Sequence, residues 1–483
     1  MILNLWMNRD VHLFFFLVIC YNFFSLDGDC MAASFMVECD KKLDYIDELE
    51  EKLKQESSRI LSFFELDGLK QQKKIKIWTD REKYRRYLEQ YVDKYYEWMD
   101  GDTHDGNINM LSIEECRKTK AHQDMTLEEM LEVIVHEFVH TCQQEINPDA
   151  FNVEWFWEAL ATNLANPFDY VASMQCEDDE LIYHLNAVPD SYPICFTIGK
   201  FMLESYSHET IMDYVRNPDT LRKDAKTIFK EEREWFRKKY LPLSSSPKAE
   251  NEDFRIFAAD NLDDFATDCL ATITEQKQKI LDFFGLDHFR KVEVNLFDNQ
   301  ETFLNFIKKL RWSGAKIPEY CRGTYDNNMV NLSITTPIEN PKKLMNAILH
   351  EFIHIIYNLQ TDRRIVWLDE GLAMNLSGEK DDLLDDTLFR NFFEEKIISK
   401  NLPENINTLV HGTQFMNNSY DGYSLSYVAV RYLLETKPKP EIEEITKNSE
   451  KALELGMVIL PEAVDYYKEK FSINRDIKAT SKK

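Results

Sequence analysis

The feature that most constrains this chain of 483 residues is that its sequence repeats itself. The segment ILSFFELD at 60–67 returns as ILDFFGLD at 280–287. Four further pairs follow in the same order: 103–113 with 324–334, 136–140 with 350–354, 155–161 with 367–373, and 192–204 with 423–435. Chance recurrence of amphipathic helices would not keep this order, so the sequence predicts two tandem copies of one domain.

The copies are predicted to span 31–241 and 256–483, joined by a linker at 242–255 whose first part is rich in Ser and Pro. Within each copy, alternating apolar residues predict two strands separated by an aromatic amphipathic helix, and several helices then follow. The predicted strands are 74–78 and 108–113 in the first copy, and 292–297 and 329–334 in the second. A small sheet followed by a helical lobe indicates an α+β fold dominated by helices.

Composition excludes some functions and favours one compartment. With 58 Lys and Arg against 85 Asp and Glu, the net charge of −27 argues against nucleic acid as a partner. The nine cysteines form no CxxC pair, and their number is odd, which favours reduced thiols in the cytoplasm.

Residues 1–30 form a hydrophobic extension with an apolar run at 11–26, which is shorter than a membrane-spanning helix requires. Three interpretations stay open: a signal or anchor, a structured segment, or an artefactual start with translation beginning at Met31. Membrane association is not expected unless this extension is translated and retained.

An HExxH motif occurs once in each copy, as His136-Glu137-Phe138-Val139-His140 and as His350-Glu351-Phe352-Ile353-His354. Side chains four residues apart share one face of a helix, so each histidine pair can reach a single ion. The flanking apolar residues support a helix in both copies. Thr126 with Glu129 resembles a capping box at the start of the first helix, and Pro341 fits the opening turn of the second.

Each copy also carries an acid that could complete a metal site. Catalytic zinc normally has three protein ligands. Glu158 lies 18 residues after His140, and Glu370 lies 16 residues after His354. Both acids stand in apolar segments, where an unpaired carboxylate is costly.

Other nearby residues are weaker candidates as ligands. Glu154 has no counterpart in the second copy, where Val366 occupies its place, and Asp369 is matched by Trp157, which favours a supporting role over ligation. Cys142 is expected to be a small core residue. Six other histidines have no partner in the other copy and are expected to lie mostly on the surface or in loops: His104, His122, His184, His208, His288 and His411.

HExxH followed by Trp367-Leu368-Asp369-Glu370-Gly371-Leu372-Ala373 resembles the gluzincin branch of zinc metallopeptidases, the peptidase MA-like superfamily. The resemblance covers the helical core of each copy and implies two tandem zincin-like domains. The first copy departs from the pattern with Ala159 in place of Gly371. Neither the thermolysin-type Asn-Glu-x-x-Ser-Asp motif nor the Gly-x-Met-x-Asn aminopeptidase motif occurs.

The resemblance implies peptide-bond hydrolysis with a peptide or protein substrate, two Zn²⁺ ions per chain, and Glu137 and Glu351 as general bases. Tyr192 and Tyr423 are candidates for stabilising the oxyanion, with packed aromatic side chains as the alternative. The other function left open is a zincin-shaped binding or regulatory protein with one or both sites silent. The implied zinc ligands are His136, His140 and Glu158 in the first copy and His350, His354 and Glu370 in the second.

Overall fold

The computed structural model describes residues 22–24 and 35–473, except 93–94, 98, 120–121, 166–167, 189, 312–314, 316, 320, 327, 336, 362, 410–414 and 416–418. The chain divides into two compact units. Of the described residues, 22–240 and 308–311 belong to the N-terminal unit, and 241–307 and 315–473 to the C-terminal unit. Apart from 22–24, the extension 1–30 lies outside the described residues, as does His411.

The N-terminal unit contains a small sheet and nine α-helices among its described residues. Its strands are β1 (Asn22–Phe24), β2 (Phe35–Cys39), β3 (Lys73–Trp78), β4 (Gly101–His104) and β5 (Asn107–Leu111). Its helices are α1 (Ile46–Phe63), α2 (Arg81–Leu88), α3 (Ile113–Cys116), α4 (Leu127–Ile146), α5 (Glu154–Leu164), α6 (Asp178–Tyr183), α7 (Ser191–Ser205), α8 (His208–Arg216) and α9 (Pro218–Tyr240).

The C-terminal unit has a similar order of elements, without a counterpart of α3 among its described residues. Its strands are β6 (Ala249–Glu250), β7 (Phe254–Ala258), β8 (Val292–Phe297), β9 (Gly323–Asp326) and β10 (Met329–Ser333). Its helices are α10 (Asp263–Phe284), α11 (Gln300–Lys309), α12 (Pro341–Asn358), α13 (Val366–Leu376), α14 (Asp386–Phe393), α15 (Gly422–Thr436), α16 (Lys439–Lys447), α17 (Ser449–Gly456) and α18 (Ile459–Lys470).

Both sheets are mixed and have the same strand order, β1-β2-β3-β5-β4 and β6-β7-β8-β10-β9. The three inner strands of each sheet run parallel, and both outer strands pair antiparallel to their neighbours. Helices dominate both units, which confirms the predicted α+β class. Inner-strand residues such as Ile75, Ile108, Val294 and Val330 are completely buried and place each sheet in its own core.

Several local predictions were confirmed. Thr126 and Glu129 form both hydrogen bonds of a capping box at the start of α4. Pro341 stands in the first turn of α12, where its missing N–H costs no hydrogen bond, and Asn340 caps that helix by accepting from the Lys343 N–H. The boundaries of both HExxH helices are therefore encoded locally.

The structure also differs from the predictions. The strand predicted at 108–113 ends at Leu111, because Ser112 and Ile113 already begin the helical turn α3. The end of the predicted linker 242–255 belongs to the sheet, since it contains β6 and the first two residues of β7. Ser244 and Lys248 donate backbone N–H groups to the carbonyls of Ala258 and Ile256, so this Ser/Pro-rich segment runs along the edge of β7.

No helix among the described residues is both long enough and apolar enough to cross a lipid bilayer. The seven cysteines in the described part of the chain are buried thiols: Cys39, Cys116, Cys142, Cys176, Cys195, Cys269 and Cys321. Cys142 packs in the hydrophobic core, as predicted.

Candidate metal centres

Helices α4 and α5 bring together the four residues called site 1: His136, Glu137, His140 and Glu158. The Glu158 Oε2 atom lies 3.1 Å from His136 Nε2, and its Oε1 atom lies 3.7 Å from His140 Nε2. Ligating atoms of His136, Glu137 and His140 lie within 4.8 Å of one another. One carboxylate thus faces two imidazoles, with the second carboxylate beside them.

The charges of site 1 suit a cation. Burial raises the pKa of Glu158, but the neighbouring His140 and His136 outweigh it and lower that pKa to about 2, so the carboxylate is ionised. Burial lowers the pKa of His140, which favours the neutral imidazole that a metal requires. An anionic carboxylate and a neutral imidazole are the protonation states of metal ligands.

Two buried atoms of site 1 have no hydrogen-bond partner among the described residues: Oε1 of Glu137 and Nε2 of His140. Leaving such atoms unsatisfied in a protein interior costs free energy. A divalent ion and the water it carries would satisfy both atoms, so the donor set fits a metal.

Thr103 and Gln143 contact the other polar side-chain atoms of Glu137 and His140. The Thr103 hydroxyl on β4 donates to Glu137 Oε2 at 2.6 Å. Burial still raises the pKa of Glu137 well above its ordinary value, and the charge of Glu158 adds to this effect. The His140 Nδ1 atom lies 2.9 Å from Gln143 Oε1, and the His140 ring stacks on Trp157 with centroids 4.1 Å apart.

Site 2 comprises His350, Glu351, His354 and Glu370, on α12 and α13. The Glu370 carboxylate lies 3.5 Å from His350 Nε2 and 3.7 Å from His354 Nε2. Ligating atoms of His350, His354 and Glu370 lie within 4.8 Å of one another, and all three residues are buried. The geometry of site 1 is thus repeated.

Acids orient both histidines of site 2. Asp369 Oδ1 lies 2.6 Å from His354 Nδ1, and Glu379 Oε2 lies 3.0 Å from His350 Nδ1. Asp369 therefore contacts the ring nitrogen that faces away from Glu370, which agrees with the predicted supporting role. Glu351 approaches the edge strand β9, where its Oε1 atom lies 2.6 Å from the position a Gly323 Cβ would occupy.

Arg364 is a feature of site 2 that the sequence analysis missed. It is buried, forms a close ion pair with Asp369, and places Nη2 3.5 Å from Glu370 Oε1. Burial raises the pKa of Asp369, but the charges of Arg364 and His354 outweigh it and keep this pKa below its ordinary value. The repeat gives no signal for Arg364, because the first copy has no arginine at the matching position.

Thr103 and Gln143 were also missed as neighbours of a site, although each left a signal. Thr103 recurs as Thr324 in the repeat, and Gln143 lies three residues after His140 on the same helix. Neither signal alone shows which side chain the residue contacts.

One histidine expected on the surface or in a loop, His122, lies in the turn that precedes α4. His122 is buried, with its Nε2 2.8 Å from Asp100 Oδ2, and Arg81 Nη2 lies 2.9 Å from Asp100 Oδ1. The expected loop position is therefore confirmed for His122, while the burial of this basic residue depends on an acid 22 positions away in the sequence.

A cavity of about 570 Å³ opens beside site 1. Glu137, His140, Glu158 and Tyr192 all line it. Burial and the charge of Glu158 raise the pKa of Tyr192 well above its ordinary value, so this phenol keeps its proton and can donate it in a hydrogen bond. In the C-terminal unit, the Tyr423 ring packs edge-on against Phe415, with centroids 4.7 Å apart.

The comparisons with known proteins place the chain in no family. No family model matches it, and no curated protein is significantly similar to it.

Proposed function

We propose that the protein is a zinc-dependent metallopeptidase with two similar sites, each in a gluzincin-like domain. The observation that carries this proposal is the same in both units: an HExxH helix presents two histidines to a buried glutamate on the next helix. Two histidines and one carboxylate are a common ligand set of catalytic zinc. The cavity at site 1 gives a peptide room beside these ligands.

His136, His140 and Glu158 would hold zinc in site 1, and His350, His354 and Glu370 in site 2. Bound zinc would supply a Lewis acid that polarises the scissile carbonyl and lowers the pKa of water. The remaining steps belong to the protein's own side chains.

In site 1, Glu137 Oε1 accepts a proton from the attacking water, whose hydroxyl adds to the carbonyl carbon. Glu137 then gives this proton to the nitrogen of the leaving amine as the C–N bond breaks, so that one water is consumed for each peptide bond. Thr103 holds the other oxygen of Glu137 and fixes the carboxylate during both transfers. Tyr192 can donate a hydrogen bond to the carbonyl oxygen as it gains charge.

A second candidate function is a zincin-like binding or regulatory protein in which site 2 is silent. Arg364 favours this alternative, because its guanidinium lies 3.5 Å from a Glu370 oxygen that a metal would need. The same Arg364 also supports Asp369, which orients His354, so its presence is compatible with a metal in site 2 as well.

Metal analysis and turnover test the proposal together. We expect about two zinc ions per chain, falling to about one after His136→Ala or His350→Ala. The double variant Glu137→Gln and Glu351→Gln should retain zinc and lose hydrolysis of a peptide library. Glu128→Gln, an exposed change on α4, is the matched control and should keep both properties.

The outcomes separate the two candidate functions. Hydrolysis that survives the double glutamine change would overturn the mechanism. Retained zinc without cleavage of any peptide would favour the binding protein, and single glutamine variants would show whether site 2 contributes to turnover.

A further inference from the structure

An additional carboxylate, Glu154, lines the cavity beside site 1. Glu154 begins α5 and lies one helical turn before Glu158, so the two Cβ atoms are about 6 Å apart on one face of the helix. Successive Cα atoms of a peptide are about 3.8 Å apart. Glu154 is therefore within reach of a substrate residue next to the scissile bond.

Glu154 is accessible from the cavity, and the basic residue of the cavity lining is engaged elsewhere. Glu154 is an exposed residue at the start of the helix, whereas Glu158 is buried. The basic residue Lys73 also lines the cavity, but its Nζ lies 3.1 Å from the Asp105 carbonyl oxygen and 3.9 Å from Glu145 Oε2. The one lysine or arginine among the described residues that line this cavity is therefore engaged by acceptors other than Glu154.

Aromatic side chains at the same cavity could contact a substrate side chain that has an apolar stem and a charged end. Tyr91 and Phe151 line the cavity and are about half exposed, at 50% and 48%. Large aromatics in such a position can cover the methylene stem of a lysine or arginine and contact its cationic head. A bare ammonium group would not use this apolar surface.

The two copies differ at this position. Val366 stands in the second copy where Glu154 stands in the first, and it is packed into the hydrophobic core of the C-terminal unit. The glutamate is thus dispensable for building the helix that follows HExxH.

Independent of Glu154, Glu137 Oε1 shows that the cavity is built to receive a ligand. This atom is buried, belongs to a residue that lines the cavity, and has no hydrogen-bond partner among the described residues. A reacting group bound there would lie in the same cavity that Glu154 lines.

We propose that site 1 selects peptides with a lysine or arginine beside the scissile bond, and that Glu154 binds the cationic head of that side chain. This inference rests on the proposed peptidase function and names its substrate class. The expected contact is a hydrogen-bonded ion pair between the Glu154 carboxylate and the substrate cation.

The experiment uses the full chain with Glu351→Gln, so that only site 1 turns over. Two N-acetylated peptide sets, with lysine or with norleucine beside the cleaved bond, are compared by kcat/KM, because norleucine keeps the four-carbon chain of lysine and lacks its ammonium group. We expect a preference for lysine of about tenfold. Glu154→Gln should bring the ratio close to one, and Glu154→Lys should invert it.

Asp149→Asn is the matched control, since it removes an equal charge from an exposed position close to Glu154 but outside the cavity lining. It should keep the lysine preference. A ratio near one in the parent, or an equal loss in the Asp149 variant, would overturn the proposal. A preference that appears only when the peptide N-terminus is left free would assign the cation to the terminal ammonium and would also overturn it.

Binding without turnover separates this inference from the proposed function. In the Glu137→Gln and Glu351→Gln variant, calorimetry should give about tenfold tighter binding for the lysine peptide than for the norleucine peptide, and Glu154→Gln should remove this difference. If no variant cleaves any peptide but this difference persists, the peptidase proposal fails while the selectivity stands. Cleavage without any difference in binding or turnover would leave the peptidase proposal in place and reject the role of Glu154.

Discussion

The second histidine of each HExxH motif is oriented by a different group. His140 Nδ1 lies near the neutral amide of Gln143, whereas His354 Nδ1 lies near the carboxylate of Asp369. A carboxylate makes an imidazole a stronger donor to a metal than an amide does. At the scale of single residues, the two sites are related but not equivalent.

A buried acid far from either motif gives a prediction about pH. Glu232 on α9 is 1% exposed, and neither carboxylate oxygen has a hydrogen-bond partner in the described part of the chain. Burial raises the pKa of Glu232 to about 8. Because its pKa is higher in the folded state, the folded protein binds the extra proton, and stability from this group is lost as pH rises from about 4.5 towards 8.

Glu232→Gln should therefore stabilise the N-terminal unit at pH 8 by a few kcal/mol, on the order of 1.4 kcal/mol per pKa unit, and have little effect at pH 4. Urea unfolding in a chelator, followed at both pH values, measures the difference. Glu234→Gln, an exposed neighbour on α9, should show no such pH dependence. A stabilisation by Glu232→Gln that is equal at both pH values would contradict this account.

At the scale of elements, the helix after HExxH crosses a later helix closely in both units. An asparagine bridges each crossing: Asn163 donates to the carbonyls of Ala159 and Phe196, and Asn375 to those of Gly371 and Tyr427. Each crossing also contains one glycine, but on opposite helices.

The position of that glycine explains why the first copy carries Ala159 where the second copy carries Gly371. In the N-terminal unit, a Cβ on Gly199 of α7 would lie 2.4 Å from the Ala159 carbonyl oxygen. In the C-terminal unit, a Cβ on Gly371 of α13 would lie 2.4 Å from both the Ser426 carbonyl oxygen and the Val430 side chain. Val430 matches Gly199. The glycine therefore lies on the later helix in the N-terminal unit and on the helix after HExxH in the C-terminal unit.

Gly371→Ala should destabilise the C-terminal unit by about 1–3 kcal/mol, because overpacking forces the two helices apart. Adding Val430→Gly reproduces the arrangement of the N-terminal unit and should recover part of this loss. Chemical unfolding of the two single variants and the double variant gives the coupling energy. Strict additivity of the two changes would show that the residues do not compensate.

The HExxH helices, and the acid on the helix after each of them, could be predicted because their signals are local and repeated. Thr126 with Glu129 and Pro341 mark helix starts within one turn of sequence. Strands β2 and β7 were missed because each is only five residues long, and their pairing with β3 and β8 is not local. Arg364 and Thr103 were missed because their contacts depend on the folded chain.

At the scale of the whole molecule, each unit has a hydrophobic core of its own. The buried apolar clusters run from Phe35 to Phe229 in one unit and from Phe254 to Ile473 in the other. The candidate ligands of each site come from a single unit. Metal binding should therefore act on the two units separately.

His136→Ala should lower the stability of the N-terminal unit alone in the presence of zinc. A metal at 1,000 times its Kd stabilises the state that binds it by about 4 kcal/mol. Hydrogen exchange with mass spectrometry reports the two units separately, and His350→Ala is the matched control with the reverse pattern. The effect should shrink in a chelator, and equal destabilisation of both units by either variant would contradict separate sites.

The glycines on opposite sides of the helix crossing also restrict how the two copies can have diverged. Gene conversion that carried only the helix after HExxH from one copy to the other would bring two glycines together, or set Ala159 against Val430. The first chimera would leave a gap and the second a clash. Recombination that transfers both helices together would preserve the packing at the crossing, whereas transfer of either helix alone would disturb it.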